Sequence, residues 1–223
     1  MWKPDVVYSA LSRLEDGDIL LYCDCGNVLA KNRRQWEKTF NLLLSVDCVF
    51  HRLPSCWLQW NRIELLRHFT PFIRPGMKLC YAMEGTMLLI KKTEFTSMLV
   101  EEWRRMMIDH PDWVLDARNE DERKLQLPSF CESRYDQSVL TMLVYKYLSD
   151  VRTARRIAGL REFHFGWWPF GDPSIAIVRH RNGNPYKLSL KKRFERAMRR
   201  IVWMMEDVLT RFGLWPHWCN CGR

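Results

Sequence analysis

Apolar residues recur along this chain with two different periods, and the alternation between them predicts its elements. Val6, Val7, Ala10, Leu11 and Leu14 share one face of a helical wheel and Pro4 suits a first turn, so residues 4–14 are predicted as an amphipathic helix ended by Gly17. Asp18-Ile19-Leu20-Leu21-Tyr22-Cys23 is a short apolar run between turn formers, which predicts a strand buried on both faces of a parallel or mixed sheet. Residues 34–45 read as a second helix and Cys48–Leu53 as a second strand, followed by a less regular stretch rich in Trp and Arg from Pro54 to Pro75.

Met87–Ile90 predicts a third strand. Thr93 is the expected N-cap of a long helix in which Phe95, Met98, Leu99, Trp103, Met106 and Met107 recur every three or four residues. Residues 108–130 are polar and read as a loop, after which Asp136 is expected to cap a helix carrying Val139, Leu140, Leu143, Val144 and Leu148. Helices alternating with strands in this way predict an α/β domain. The most periodic stretch is the last: Phe194, Met198, Ile201, Met205, Val208 and Phe212 line one face and Arg193, Arg196, Arg200, Asp207 and Arg211 fall elsewhere, an amphipathic helix with a basic face.

Composition narrows the class. The chain has 223 residues, 47% hydrophobic and 13% aromatic, enough for one sizeable core and far too apolar for wholesale disorder. Apolar runs are too short for a membrane-spanning helix, and the first residues lack the pattern of a secretory signal, which predicts a cytoplasmic protein. The net charge is +9, but residues 179–200 hold nine Lys and Arg against the single acid Glu195, so the globular part is nearly neutral. Nucleic-acid binding would therefore rest on that segment alone and is the weaker use of it. Residues 187–212 could instead hold the chain peripherally at an anionic membrane surface, or simply pack on the domain with a solvated basic face. The eight cysteines form two C-x-C pairs and no C-x-x-C, which argues for buried free thiols over structural zinc.

Two clusters could carry chemistry. Asp24 stands at the end of the most strand-like run, where α/β sheets bind ligands, and Gly26 two residues on permits close approach; the same residues could be no more than a strand-ending Asx turn. Phe130-Cys131-Glu132-Ser133-Arg134-Tyr135-Asp136-Gln137-Ser138 offers Arg134 as a fork-shaped donor, and Asp136 with Gln137 as partners for sugar hydroxyls, or else a helix cap beside a solvated Arg. The Trp residues at 57–60 and 167–168 could stack on sugar rings or fill the core.

These clusters carry a resemblance. Trp2-Lys3-Pro4, then Leu11, Asp16-Gly17-Asp18-Ile19-Leu20-Leu21-Tyr22 and Asp24-Cys25-Gly26, resembles the "W-K-P … L … G-D … Y-x-D-x-G" block of a glycosyltransferase family in the nucleotide-diphospho-sugar transferase superfamily. Phe130-x-Glu132-x-Arg134-x-Asp136-Gln137-Ser138 is similar to that family's "F-x-E-H-R-H-D-Q-S" block, with Ser133 and Tyr135 in place of its histidines. Arg62–Leu65 and Glu102-Trp103 resemble its "K-R-D" and "E-W" positions.

The resemblance implies a GT-A-type mixed sheet flanked by helices over residues 1–178, lacking the family's N-terminal βα elements, with 179–223 as a basic appendage. It implies transfer of a sugar from a nucleotide-diphosphate donor to a sugar, protein or lipid-linked acceptor. Asp24, Gly26, Arg134 and Gln137 would bind the donor, and Asp136 would be the catalytic carboxylate near the attacking hydroxyl. A divalent cation, manganese or magnesium, would be held by Asp24, and of the late histidines His164 and His180 the second, in a basic run, is the implied further ligand. Gly26 stands where the superfamily's second metal-binding acid would be. A non-catalytic carbohydrate- or nucleotide-binding protein of the same fold is the alternative reading.

Overall fold

A computed structural model describes residues 2–25, 27–29, 33–54, 57–73, 81–128, 130–158 and 177–179. In chain order its elements are α1 (Lys3–Leu11), β1 (Ile19–Cys23), β2 (Asn27–Leu29), α2 (Arg33–Leu42), β3 (Cys48–Pro54), α3 (Ile63–Phe69), β4 (Tyr81–Lys91), α4 (Glu94–Asp109), α5 (Pro111–Val114), α6 (Glu120–Lys124), α7 (Asp136–Ser149), α8 (Val151–Ala154), β5 (Ile157–Ala158) and β6 (Ile177–Arg179). The expected alternation of helix and strand is present, and the fold is mixed α/β. The basic helix expected over 194–212 lies outside the described residues.

The main sheet runs β1-β4-β3-β5; β4 is antiparallel to both β1 and β3, and β5 joins β3 in parallel. β2 and β6 pair separately. β4 starts at Tyr81, well before the predicted Met87: Glu84-Gly85-Thr86 interrupts the apolar run and coincides with a shift in the register with β3, after which pairing resumes with Ala82 and Met83 opposite Leu53 and Arg52. β4 is an inner strand and is buried from Ala82 to Ile90, whereas β1, expected to be buried on both faces, is an edge strand that among the described residues pairs with β4 alone, with Ile19 exposed at its start. An uninterrupted apolar run does not distinguish a central strand from an edge strand whose two faces are each half covered.

Alternation sorts the sheet residues into two layers. Leu88 and Ile90 of β4, with Cys48 and Phe50 of β3, face a core made with α1, α3, α4 and α7. Met87, Leu89 and Val49 face the other side, where Trp36 of α2 and Leu43 pack. α4 begins as expected with Thr93, whose hydroxyl accepts from Thr96 N while Thr93 N donates to the Thr96 hydroxyl, a reciprocal cap. Its apolar stripe is buried except at Met98, which is exposed.

Two regions read as irregular contain helices: α3 lies within 54–75, and α5 and α6 within 108–130. They are held by tertiary ion pairs. The buried Arg62 guanidinium lies 3.2 Å from Glu64 and 3.2 Å from Glu122, bringing α6 onto the start of α3. Burial disfavours the Arg62 charge, but the two carboxylates outweigh it and push its pKa up. Of Cys23, Cys25, Cys48 and Cys131, none of which forms a disulfide, only Cys48 is buried, so the expectation of buried thiols fails at the half-buried Cys23 and at the exposed Cys25 and Cys131. No described helix is long and apolar enough to cross a membrane.

Candidate functional site

Lys3 opens α1, a position the helix dipole disfavours for a cation, so its charge needs an external partner. It finds two. Along β1, Leu20 and Tyr22 face the helical layer, and Asp24 N extends the ladder by donating to Thr86 O at 2.8 Å, which sends the Asp24 side chain to the same side. From the opposite direction α7 begins at Asp136, whose carbonyl accepts from Trp103 Nε1 of α4 at 2.9 Å. The Lys3 ammonium donates to Gly85 O at 2.9 Å and lies 3.0 Å from Asp136 Oδ2 and 3.4 Å from Asp24 Oδ1. The three side chains are 13%, 19% and 22% exposed for Lys3, Asp24 and Asp136.

The two carboxylates are thus held by one ammonium, leaving a formal charge of −1 in a partly dehydrated setting. Tyr22 donates its hydroxyl to Asp24 Oδ1 at 2.6 Å; burial, and then the Asp24 charge, push the Tyr22 phenol well above its ordinary pKa. Asp136 was expected to cap α7. Instead its carboxylate turns to Lys3, and the cap residue is Tyr135, which makes no side-chain capping bond. The backbone there is pinned by hydroxyls: Arg134 N donates to Ser138 Oγ at 3.0 Å, Tyr135 N donates to Ser133 Oγ at 3.2 Å, and Ser133 Oγ donates to Val114 O at 2.5 Å. This holds Tyr135 at φ 51° and ψ −121°, the one positive φ at a non-glycine among the described residues. Backbone of this kind persists only where surrounding bonds over-determine it, and it concentrates at functional sites.

A cleft of about 380 Å³ opens over this cluster, walled among the described residues by Trp2, Lys3, Asp24, Leu115, Tyr135 and Asp136. Trp2 is 62% exposed and Tyr135 45%, so two aromatic side chains stand in solvent beside two carboxylates. No protein-family model, no curated protein and no solved structure matches the chain.

Of the residues singled out in the sequence, Asp24 and Asp136 come together in the cleft. Arg134 and Gln137 are not among its walls: the Arg134 guanidinium lies 4.3 Å from the centre of the Trp60 ring and 3.1 Å from Glu132. Gln137 instead has its Cβ beside Gly85 of β4. Gly26 and His180 lie outside the described residues. Lys3 and Trp2 belong to the W-K-P block but were given no role; the signal was a lysine in a first helical turn, where the dipole disfavours a cation, and the structure shows its sequence neighbour Asp5 taken by Arg104 at 2.8 Å.

The divalent ion implied by the resemblance needs several oxygen or nitrogen donors around one point. Among the described residues no group of three or more His, Cys, Asp and Glu converges, and the gap between the two cleft carboxylates holds an ammonium. These residues do not fit a protein-held divalent ion.

Proposed function

We propose that this chain is a GT-A-like glycosyltransferase, moving a sugar from a nucleotide-diphosphate donor to an acceptor hydroxyl in the cleft between Trp2 and Tyr135. The observation that carries this reading is the convergence of Asp24 and Asp136, from the two blocks of the resemblance, on one cation in one cleft. Ionised carboxylates accept hydrogen bonds from sugar hydroxyls, and flat indole and phenol rings suit the apolar faces of a pyranose. The cleft volume falls within the range of small-molecule sites.

In the proposed reaction Asp24 accepts from a donor-sugar hydroxyl and Asp136 takes the proton of the attacking acceptor hydroxyl. A bond forms between the acceptor oxygen and the anomeric carbon, the bond from that carbon to the phosphate oxygen breaks, and the nucleoside diphosphate leaves with the electron pair. Tyr22 fixes the Asp24 carboxylate, and the Trp103 bond fixes the backbone from which Asp136 projects.

The test is calorimetric titration with uridine and guanosine diphosphates and their sugars, with turnover read as release of the nucleoside diphosphate. Asp24→Ala is expected to abolish donor binding while the chain stays folded, with a stability loss of about 1 kcal/mol from the broken Tyr22 bond. Asp136→Asn is expected to lower turnover more than donor binding. The Lys3 ammonium 3.0 Å from Asp136 Oδ2, on the oxygen that would have to meet an acceptor hydroxyl, favours a second reading: a carbohydrate- or nucleotide-binding protein of the same fold, which would bind ligand in the cleft without turnover.

A further inference from the structure

Sugar transfer from a nucleotide donor requires positive charge near the departing diphosphate, and this cleft carries its positive charge on a side chain. We propose that Lys3 is the resident cation of the site, occupying by its ammonium the space between Asp24 and Asp136 that a divalent ion would need, so that the cleft works without metal. The inference deepens the reading as a glycosyltransferase and rests on it for the role of the charge, though the placement of Lys3 stands by itself.

The geometry is specific. The ammonium donates to Gly85 O at 2.9 Å and is ion-paired with Asp136 Oδ2 at 3.0 Å and Asp24 Oδ1 at 3.4 Å. Its side chain is 13% exposed and projects from the first turn of α1. An ion placed between the same carboxylates would sit against an ammonium of the same sign with nothing but water to separate them, a repulsion that grows as the site dehydrates. Asp24 Oδ1 is also engaged by the Tyr22 hydroxyl at 2.6 Å, which reduces what that oxygen can offer a metal.

The arrangement also gives the charge a use during turnover. When Asp136 receives the acceptor proton it becomes neutral and its hold on Lys3 weakens. The ammonium is then free to compensate the negative charge that grows on the diphosphate at the same moment. Lys3 is thus a residue of the reaction as well as the strut that sets the spacing of the carboxylates.

The experiment is a manganese titration of the full chain at pH 8, without nucleotide, followed by calorimetry and by the electron paramagnetic resonance of free manganese. The wild-type chain and the Asp24→Asn/Asp136→Asn double variant are expected to bind manganese equally poorly. Lys3→Met, which keeps the length of the stem and removes the charge, leaves two like charges facing each other. It is expected to gain manganese affinity by at least about tenfold, reaching about millimolar or tighter. Adding Asp136→Asn to Lys3→Met is expected to abolish the gain. Manganese binding by the wild-type chain at least about tenfold tighter than by the double variant overturns the proposal, as does a folded Lys3→Met chain that gains nothing. Because the probe is the metal alone, absence of turnover with every nucleotide sugar defeats the proposed function and leaves this result standing.

Discussion

The Tyr22 hydroxyl donates a 2.6 Å hydrogen bond to Asp24 Oδ1, two residues on along the same edge strand. The folded chain holds the phenol proton above the ordinary value of 10.0, chiefly through burial and then through Asp24. Above that pH the unfolded chain releases the proton and the folded chain keeps it, so this contribution to stability is complete below pH 10 and is lost as pH rises beyond it. Tyr22→Phe is expected to cost about 1 kcal/mol at neutral pH and to flatten the fall of melting temperature above pH 10. An unchanged slope in the variant contradicts the assignment.

His51 of β3 is buried, and burial lowers its pKa from 6.5 to about 4. Between those values the unfolded chain is protonated and the folded chain is not, so stability falls as pH drops from 6.5 towards 4. Going from pH 7 to pH 5 is expected to cost roughly 2 kcal/mol in urea unfolding, a loss from which a His51→Gln chain should be largely spared.

Tyr135 holds a positive φ of 51° that glycine would adopt without strain. Replacing it relieves about 1–3 kcal/mol of backbone strain and returns part of that as the greater entropy of the unfolded chain. Tyr135→Gly is therefore expected to stabilise the fold by about 1 kcal/mol in denaturant melts while weakening sugar binding by calorimetry, because an aromatic wall of the cleft is gone. A variant that is less stable and binds unchanged contradicts both halves of the argument.

The elements most legible in the sequence were those whose partners are apolar and interchangeable. The stripe Phe95, Leu99, Trp103, Met106 and Met107 predicted α4 and its buried face because any apolar neighbour satisfies it. Thr93 predicted its start because a cap bonds only to its own first turn. β4 was only half legible: the pairing of Ala82 and Met83 depends on β3 across the sheet, and Glu84-Gly85-Thr86 hid it. α6 was missed for the same kind of reason, since its charged residues read as loop until Arg62, far away in sequence, gives Glu122 a buried partner.

For the site, the sequence by itself determined that Asp24 ends a strand and that Asp136 begins a helix, because both are local matters of turn formers and apolar period. Which way each carboxylate points was decided by the tertiary structure. Alternation along β1 and the Thr86 pairing aim Asp24 at the helical layer, the Trp103 bond and the Ser133 and Ser138 hydroxyls aim Asp136 back at it, and α1 delivers Lys3 between them. An ion pair between residues distant in sequence leaves no periodic trace, since its energy depends on a distance that only folding sets.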